Sequence, residues 1–380
     1  MPRKRTICFV TGTRADFGLM QSTLRAIASH PKLALQLIVT GMHLDAAHGR
    51  TINDIKRSGW RVDAIVPWKP AKNDLSALAV ETGKATARLA DAFARLDPDI
   101  VLVLGDRVEA FAAATAAHLS GRILAHIHGG DRAQGQVDDS LRHALTKLAH
   151  LHFPATRQSA ERIARLGEDA WRIRTVGAPG LDRITADALE WEEHQPQTHA
   201  RRRGGYALLI LHPTDADNEL EYQRAKMLIR ACLDAGVLEI VAVDPNNDPG
   251  SQGIVRALRE AGGVTRHSNL GRGAFLGLLR DAAMLVGNSS AGIIEAASFG
   301  TPVLDIGPRQ AGRERGANVT TVPFNPTAVR RGVKTIWNNA RPRRYGKRNI
   351  YGAGDAANRI AKALAGVSLA GRVRQKLISY

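Results

Sequence analysis

Apolar residues follow two alternating rhythms along the 380-residue chain. Short aliphatic, β-branched runs such as TICFVTG (6–12), ALQLIVTG (34–41), DIVLVLGD (99–106) and GRILAHIHGG (121–130) have the length of buried strands. LHFPAT (151–156) and RIRTVG (172–177) read the same way. Between the runs, apolar residues recur every three or four positions, as in DFGLMQSTLRAIASH (16–30) and LSALAVETGKATARLADAFARL (75–96), which predicts helices. Strand, helix, strand at this spacing implies a parallel sheet covered on both faces, with ligands held beyond the carboxyl ends of its strands.

A second series follows in YALLILHPTD (206–215), LEIVAVDPNND (238–248), AAMLVGNSSAG (282–292) and TPVLDIG (301–307). The polar stretch 185–205 between the series reads as a linker with room for one short helix, and GDAANRIAKALAG (354–366) as the last helix. The pattern predicts an α/β protein of two doubly wound, Rossmann-like domains facing each other across a cleft.

Composition narrows the function classes. The two cysteines, Cys8 and Cys232, lie in separate apolar patterns, which makes neither a disulfide framework nor a zinc ligand set and points to a reducing compartment. The N-terminal apolar run of four residues is too short for a signal peptide, and no run approaches the ~18 residues of a membrane span. A soluble, cytoplasmic protein with no membrane partner is expected. The net charge of +17 raises the question of nucleic acid. Basic residues are scattered apart from small clusters at 201–203 and 341–348, and the 5% aromatics are not interleaved with them. Stacking platforms are lacking, so no nucleic-acid partner is expected. A few of the arginines would serve an anionic ligand, of which a sugar nucleotide is one example.

Five motifs carry candidate chemistry. In TGTRADFG (11–18) a strand gives way to a helix near Asp16, a plausible N-cap, and Arg14 with the helix-start amides would suit a phosphate. In GDRVEAF (105–111), Asp106 and Arg107 stand at a strand end, where Asp106 is either a helix cap or a site carboxylate. In HIHGGDRAQGQVDDSLRH (126–143), alternation would put His126 and His128 on one face of a strand. With Asp131 they could suggest a metal, but no third ligand stands at a diagnostic spacing, so no metal is expected. The helix that follows has an apolar stripe of Leu141, Leu145 and Leu148, a cap at Asp138 or Asp139, and i,i+4 pairs Asp138–Arg142 and Asp139–His143. In LILHPTD (209–215), His212 ends a strand. In 286–319, Asn288, Ser289, Ser290 and Gly292 open a helix, Glu295 could take ribose hydroxyls, and Arg309 and Arg313 could clamp a diphosphate.

Taken together and in order, RADFG, GDRVEAF, HIHGGD…DDSLRHALTKLAHLHF, HP, GNSSAGIIEAASFGTPVLDIGPRQAGR and IYGAGDAANRI resemble the UDP-N-acetylglucosamine 2-epimerases, and within them the hydrolysing branch that serves sialic and related nonulosonic acid synthesis. The resemblance covers about residues 6 to 365. It implies a GT-B-type fold with an N-terminal sugar domain at 1–185, a nucleotide-binding domain at 186–353, and a C-terminal segment at about 354–380 packing back on the first. It also implies a homodimer and a reaction needing no metal or redox cofactor. The UDP sugar loses its C2 proton and its UDP, then adds water to give the free 2-epimer. By the same resemblance Asp106, Asp138, Arg142 and His212 are catalytic candidates, and His128 and Asp131 join them from the same loop. Arg14, Arg107, His143, Asn288, Ser289, Ser290, Gly292, Glu295, Arg309 and Arg313 are the binding candidates. The chain departs from its relatives in one loop: many carry glutamate there, as HIE or HGGE, where this chain has His128 and Asp131. Asp131 is one methylene shorter, which leaves open a modified substrate such as a 2,4-diacetamido sugar. A non-hydrolysing epimerase, a GT-B glycosyltransferase and a catalytically inactive binding protein are the alternatives.

Overall fold

The computed structural model describes residues 3–46, 49–68, 74–132 and 138–379. The chain packs as two compact units. One takes in Met1–Asp131, Val137–Asp182 and Tyr351–Tyr380; the other takes in Arg132–Gln136 and Arg183–Ile350.

The first unit contains β1 (Arg5–Thr11), β2 (Leu33–Val39), β3 (Ala64–Ile65), β4 (Ile100–Leu104), β5 (Ile123–Ile127) and β6 (Leu151–Phe153). All are parallel, in the spatial order β3-β2-β1-β4-β5-β6. Successive side chains of a strand point to opposite faces. Ile7 and Phe9 of β1 accordingly join one apolar cluster with Ile100 and Leu102 of β4, while Cys8 and Val10 join another with Val101 and Val103. Both faces are buried, which is why these strands read as unbroken apolar runs. Helices Arg14–Ser29 and Ala356–Gly366 contribute to the first cluster, and helices Leu75–Leu96 and Val108–Leu119 to the second.

The second unit repeats the plan with β7 (Ala207–Ile210), β8 (Ile240–Val243), β9 (Val264–His267), β10 (Met284–Gly287), β11 (Val303–Ile306) and β12 (Val319–Val322). Their order is β12-β11-β10-β7-β8-β9, again all parallel. In both sheets the winding reverses beside the first strand, between β1 and β4 and between β7 and β10. Connections leave to opposite faces there, and in open sheets of this kind ligands are held at such a reversal, beyond the carboxyl ends of the strands. The fold is α/β of the GT-B type, with two Rossmann-like units.

Three strands, β3, β9 and β12, were not legible as apolar runs. They are short edge or near-edge strands, and VTRH and VTTV are half polar because they are only partly covered. The expected strand at 172–177 does not form. A 3-10 turn occupies Ala170–Arg172, and the stretch beyond it meets β6 through an isolated bridge from Ile173 to His152 and the bonds Arg174 N to His152 O and Val176 N to Pro154 O. Arg172 is buried, and its guanidinium spends its donors on the carbonyls of His150, Val373, Arg372 and Gln375. These bonds, with Lys376 on Glu168, hold the C-terminal tail against the first unit. The stretch 185–205 is not a loose linker. Helix Trp191–Thr198 sits on helix Arg272–Asp281, where the buried His194 Nε2 meets Asp281 Oδ2 at 2.9 Å. Among the described residues no helix is long and apolar enough to cross a membrane.

Candidate active site

In the first unit β1 stops at Thr11, and a helix begins three residues later. Asp16 is not its N-cap. Thr13 caps it, accepting from Asp16 N at 3.1 Å, and Asp16 closes the capping box from inside the helix. The Asp16 carboxylate accepts from Gly12 N at 3.0 Å, Thr13 N at 3.1 Å and the Thr11 hydroxyl at 2.5 Å. Arg14, next to the cap, is turned to Asp54. Behind this turn the buried His43 ring spans Thr11 Oγ1 at 3.0 Å and Thr51 Oγ1 at 2.6 Å.

At the end of β4, Asp106 does not cap the following helix. The cap position belongs to Arg107, without a side-chain bond. Asp106 instead pairs with Arg142, which is 1% exposed and also donates to His128 O at 3.0 Å. The hydrogen-bonded carboxylate partner of Arg142 is thus Asp106, 36 positions away, while Asp138, the partner expected from spacing, acts on it through its charge. Burial opposes the Arg142 charge, and the carboxylates of Asp106, Asp131, Asp138 and Asp139 outweigh it, so its pKa is raised. Asp139 and His143 do meet, at 3.6 Å. Arg107 is held by Glu109, Nε to Oε2 at 3.2 Å. Glu109 is buried against Gly12, where a Cβ would come within 2.9 Å of its Cγ. The motif reading missed Glu109, although a lone acid in an alanine-rich helix is a usable signal.

The loop after β5 separates the two histidines expected on one face. β5 ends at Ile127, and His128 takes a left-handed backbone with φ +62°, which breaks the alternation. His126 faces Gly105 O at 2.7 Å; His128 Nδ1 faces Asp131 Oδ2 at 3.1 Å. Among the described residues no group of three His, Cys, Asp or Glu side chains is placed to hold a metal ion. Residues 133–137 of the motif lie outside the described residues, and with them whatever precedes Asp138 at its helix start.

Burial holds two of these imidazoles neutral, lowering His126 to about 3 and His43 to about 4. A histidine whose folded pKa lies below its unfolded value costs stability as pH falls between the two, because only the unfolded chain takes up the proton. The thermal midpoint should therefore fall as pH drops from 6.5 toward 4, each histidine contributing up to about 1.4 kcal/mol per pH unit. Replacing His126 by glutamine should flatten that slope by up to one proton in pH-resolved melts; an unchanged slope would contradict the assignment.

In the second unit β7 and β10 end level, with Ile210 opposite Gly287. The chains beyond them are tied by Asn288, whose Oδ1 accepts from His212 N at 2.7 Å and whose Nδ2 donates to His212 O at 2.9 Å. His212 Nδ1 in turn accepts from Asn246 N at 3.2 Å, which fixes the ring. Glu221, fully buried, accepts from Thr214 N and Asp215 N at 2.9 Å each and steadies the loop after His212. Ser289 caps helix Ser290–Ile294 through Ala291 N at 3.3 Å. Gly292 is small for a packing reason: a Cβ there would lie 2.9 Å from Val303 Cγ1. Glu295 is 6% exposed and bonded to Arg272 at 3.0 Å. Arg309 and the buried Gln310 both reach Asn288 O, at 3.4 and 2.8 Å, and Arg313 Nε donates to Arg132 O at 3.1 Å. Arg272, Gln310 and Asn246 were missed, since each joins the site only through folding.

Each unit thus gathers its candidates at the carboxyl edge of its sheet, beside the winding reversal. Acid–base groups dominate in the first unit; a helix start, hydroxyls and arginines dominate in the second. Such a second set suits a phosphorylated ligand. The chain matches the UDP-N-acetylglucosamine 2-epimerase family over residues 25–365. It is 37% identical to a hydrolysing UDP-N,N'-diacetylbacillosamine 2-epimerase of Legionella pneumophila, over 99% of this chain and 100% of that protein. It is 35% identical to a UDP-N-acetylglucosamine 2-epimerase of Neisseria meningitidis serogroup B, over 83% of each. The fold superposes on a UDP-GlcNAc 2-epimerase of Neisseria meningitidis bound to UDP-GlcNAc with a TM-score of 0.80 at 18% identity, covering 94% of this chain and 99% of that one. This chain belongs to the UDP-N-acetylglucosamine 2-epimerase family.

Proposed function

We propose that this member is a hydrolysing 2-epimerase acting on a UDP-2-acetamido sugar, either UDP-N-acetylglucosamine or a 2,4-diacetamido relative, in the cytoplasm and as a homodimer. The observation that carries the reading is the set of ionisable side chains around Arg142: Asp106, His128 and Asp131, with the charges of Asp138 and Asp139 acting on it. The relative from Legionella pneumophila, similar end to end, supports the hydrolysing outcome.

In this reading a base removes the C2 proton, and the C2–H electrons form the C1–C2 double bond. The C1–O bond breaks, and its electrons leave with UDP. Water then adds across the double bond, a proton reaching C2 from the opposite face and hydroxide reaching C1, which releases the free 2-epimer. Asp106 and Asp138 serve the proton steps, with His128 and Asp131 in the same loop. Arg142 fixes Asp106 and the backbone of His128. Arg14, Arg107, His143 and His212 stabilise charge on the departing diphosphate. Asn288, Ser289, Ser290, Gly292, Arg309 and Arg313 form the diphosphate side, and Glu295 takes the ribose. Positioned acid–base groups of this kind contribute about 10²–10⁴-fold.

The test is turnover in D2O with UDP-N-acetylglucosamine and with a UDP-2,4-diacetamido sugar in parallel. The expected result is free UDP and a free sugar carrying deuterium at C2. A product that keeps UDP attached, or transfer to an acceptor without C2 exchange, would reject the reading in favour of a non-hydrolysing epimerase or a glycosyltransferase.

A further inference from the structure

The loop after β5 is held from behind by helix Arg157–Arg165, an element outside every motif singled out above. A Cβ on Gly130 would lie 2.1 Å from Ser159 O, so loop and helix backbones touch. Arg162 donates to Gly130 O at 2.9 Å. Ser159 donates its hydroxyl to Asp131 Oδ1 at 2.7 Å and accepts from the Thr156 hydroxyl at 3.1 Å. Asp131 Oδ2 faces His128 Nδ1. Both oxygens of Asp131 are therefore engaged, and the residue is only 3% exposed.

His128 is fixed just as firmly. Its N–H bonds Phe153 O at 3.1 Å and its carbonyl accepts from Arg142. Its Nε2 has no partner among the described residues. A carboxylate so enclosed is badly placed to touch a sugar carbon. It is well placed to orient an imidazole, keeping the proton on Nδ1, presenting the Nε2 lone pair, and stabilising the imidazolium once that nitrogen is protonated.

We infer that Ser159 is a positioning residue: with Thr156 behind it, Ser159 holds Asp131 against helix Arg157–Arg165, so that His128 Nε2, and not an Asp131 oxygen, meets the substrate. The shorter side chain at 131 is then no defect, because its task is to reach His128 and Ser159. The inference rests on the epimerase reading for the reaction it serves. The charged groups that meet His128 are Asp131 on its ring and Arg142 on its carbonyl; Asp106, Asp138 and Asp139 act in turn on Arg142, and Arg162 on the carbonyl of Gly130. Ser159→Ala alters none of these charges.

Ser159→Ala is expected to lower kcat about tenfold or more with KM within twofold, and Ser159→Thr, which keeps the hydroxyl, to recover most of the loss. Asp131→Asn should lower kcat further. The imidazole nitrogen spectrum, assigned with His128→Gln, should show the Nδ1–H tautomer in the unaltered protein and its loss in Asp131→Asn. Full activity in Ser159→Ala, equal losses in Ser159→Ala and Ser159→Thr, or an Nε2–H tautomer in the unaltered protein would each overturn the inference. The spectrum needs no turnover, so a protein that keeps the Nδ1–H tautomer but converts no UDP sugar would refute the epimerase reading alone.

Discussion

Asp106→Asn is expected to lower kcat by about 10²–10⁴-fold and to destabilise the fold at the same time. The two losses have one origin. Arg142 is almost wholly buried, and its charge is held by Asp106. Asparagine keeps the shape but removes the charge, and an uncompensated buried charge costs about 3–5 kcal/mol. Asp131, Asp138 and Asp139 also act on Arg142, so the lower part of that range is expected. Urea denaturation read alongside turnover separates the effects. In the double variant Asp106→Asn/Arg142→Met the buried charge is gone, so stability should recover while turnover stays lost. Activity within threefold of the parent in Asp106→Asn would show that the carboxylate is not catalytic; a double variant no more stable than the single one would show that the pair is not a buried ion pair in solution.

This pair also shows where sequence stops being legible. Strands β1, β2, β4, β5, β7, β8, β10 and β11 could be read because burial on both faces leaves an unbroken apolar run, and the turns after them carry the motifs. Edge strands are covered on less of their surface, so VTRH and VTTV carry no such signal. Side-chain partners were the harder part. Local spacing offered Asp138 to Arg142, one helical turn away, yet the fold supplies Asp106 across a parallel sheet in which Leu104 lies opposite Ile127. Ser159 lies 28 residues from Asp131, and Arg272 lies 23 from Glu295. Such contacts are set by which strand ends stand side by side. That is also why His126 and His128 part company: the left-handed residue that ends the alternation is an outcome of the loop's packing on Ser159 and Phe153, which no periodicity shows.

The second large effect belongs to Gly287, where β10 runs out beside β7. Gly287→Ala should cost about 3–5 kcal/mol and weaken UDP binding at least thirtyfold, equivalent to about 2 kcal/mol. Its φ is +141°, a region that side chains rarely tolerate. A Cβ would lie 1.9 Å from Ile210 O, and this is the backbone of the neighbouring strand, so no rotamer change relieves it. Relief requires the ends of β7 and β10 to part. That would break Asn288 N to Ile210 O at 3.1 Å and the two bonds tying Asn288 to His212, and would carry Ser289 and the Gln310 contact along with them. Gly204→Ala separates conformational cost from collision. Gly204 also has a positive φ, +70°, but nothing lies within 4 Å of its added Cβ, so only about 1 kcal/mol and unchanged UDP affinity are expected. Thermal unfolding and UDP calorimetry on the two variants decide the matter. If they behave alike, the close approach of β10 to β7 does not set the geometry of the nucleotide side. If they diverge as expected, the glycine before Asn288 is what lets two strand ends act as one binding edge.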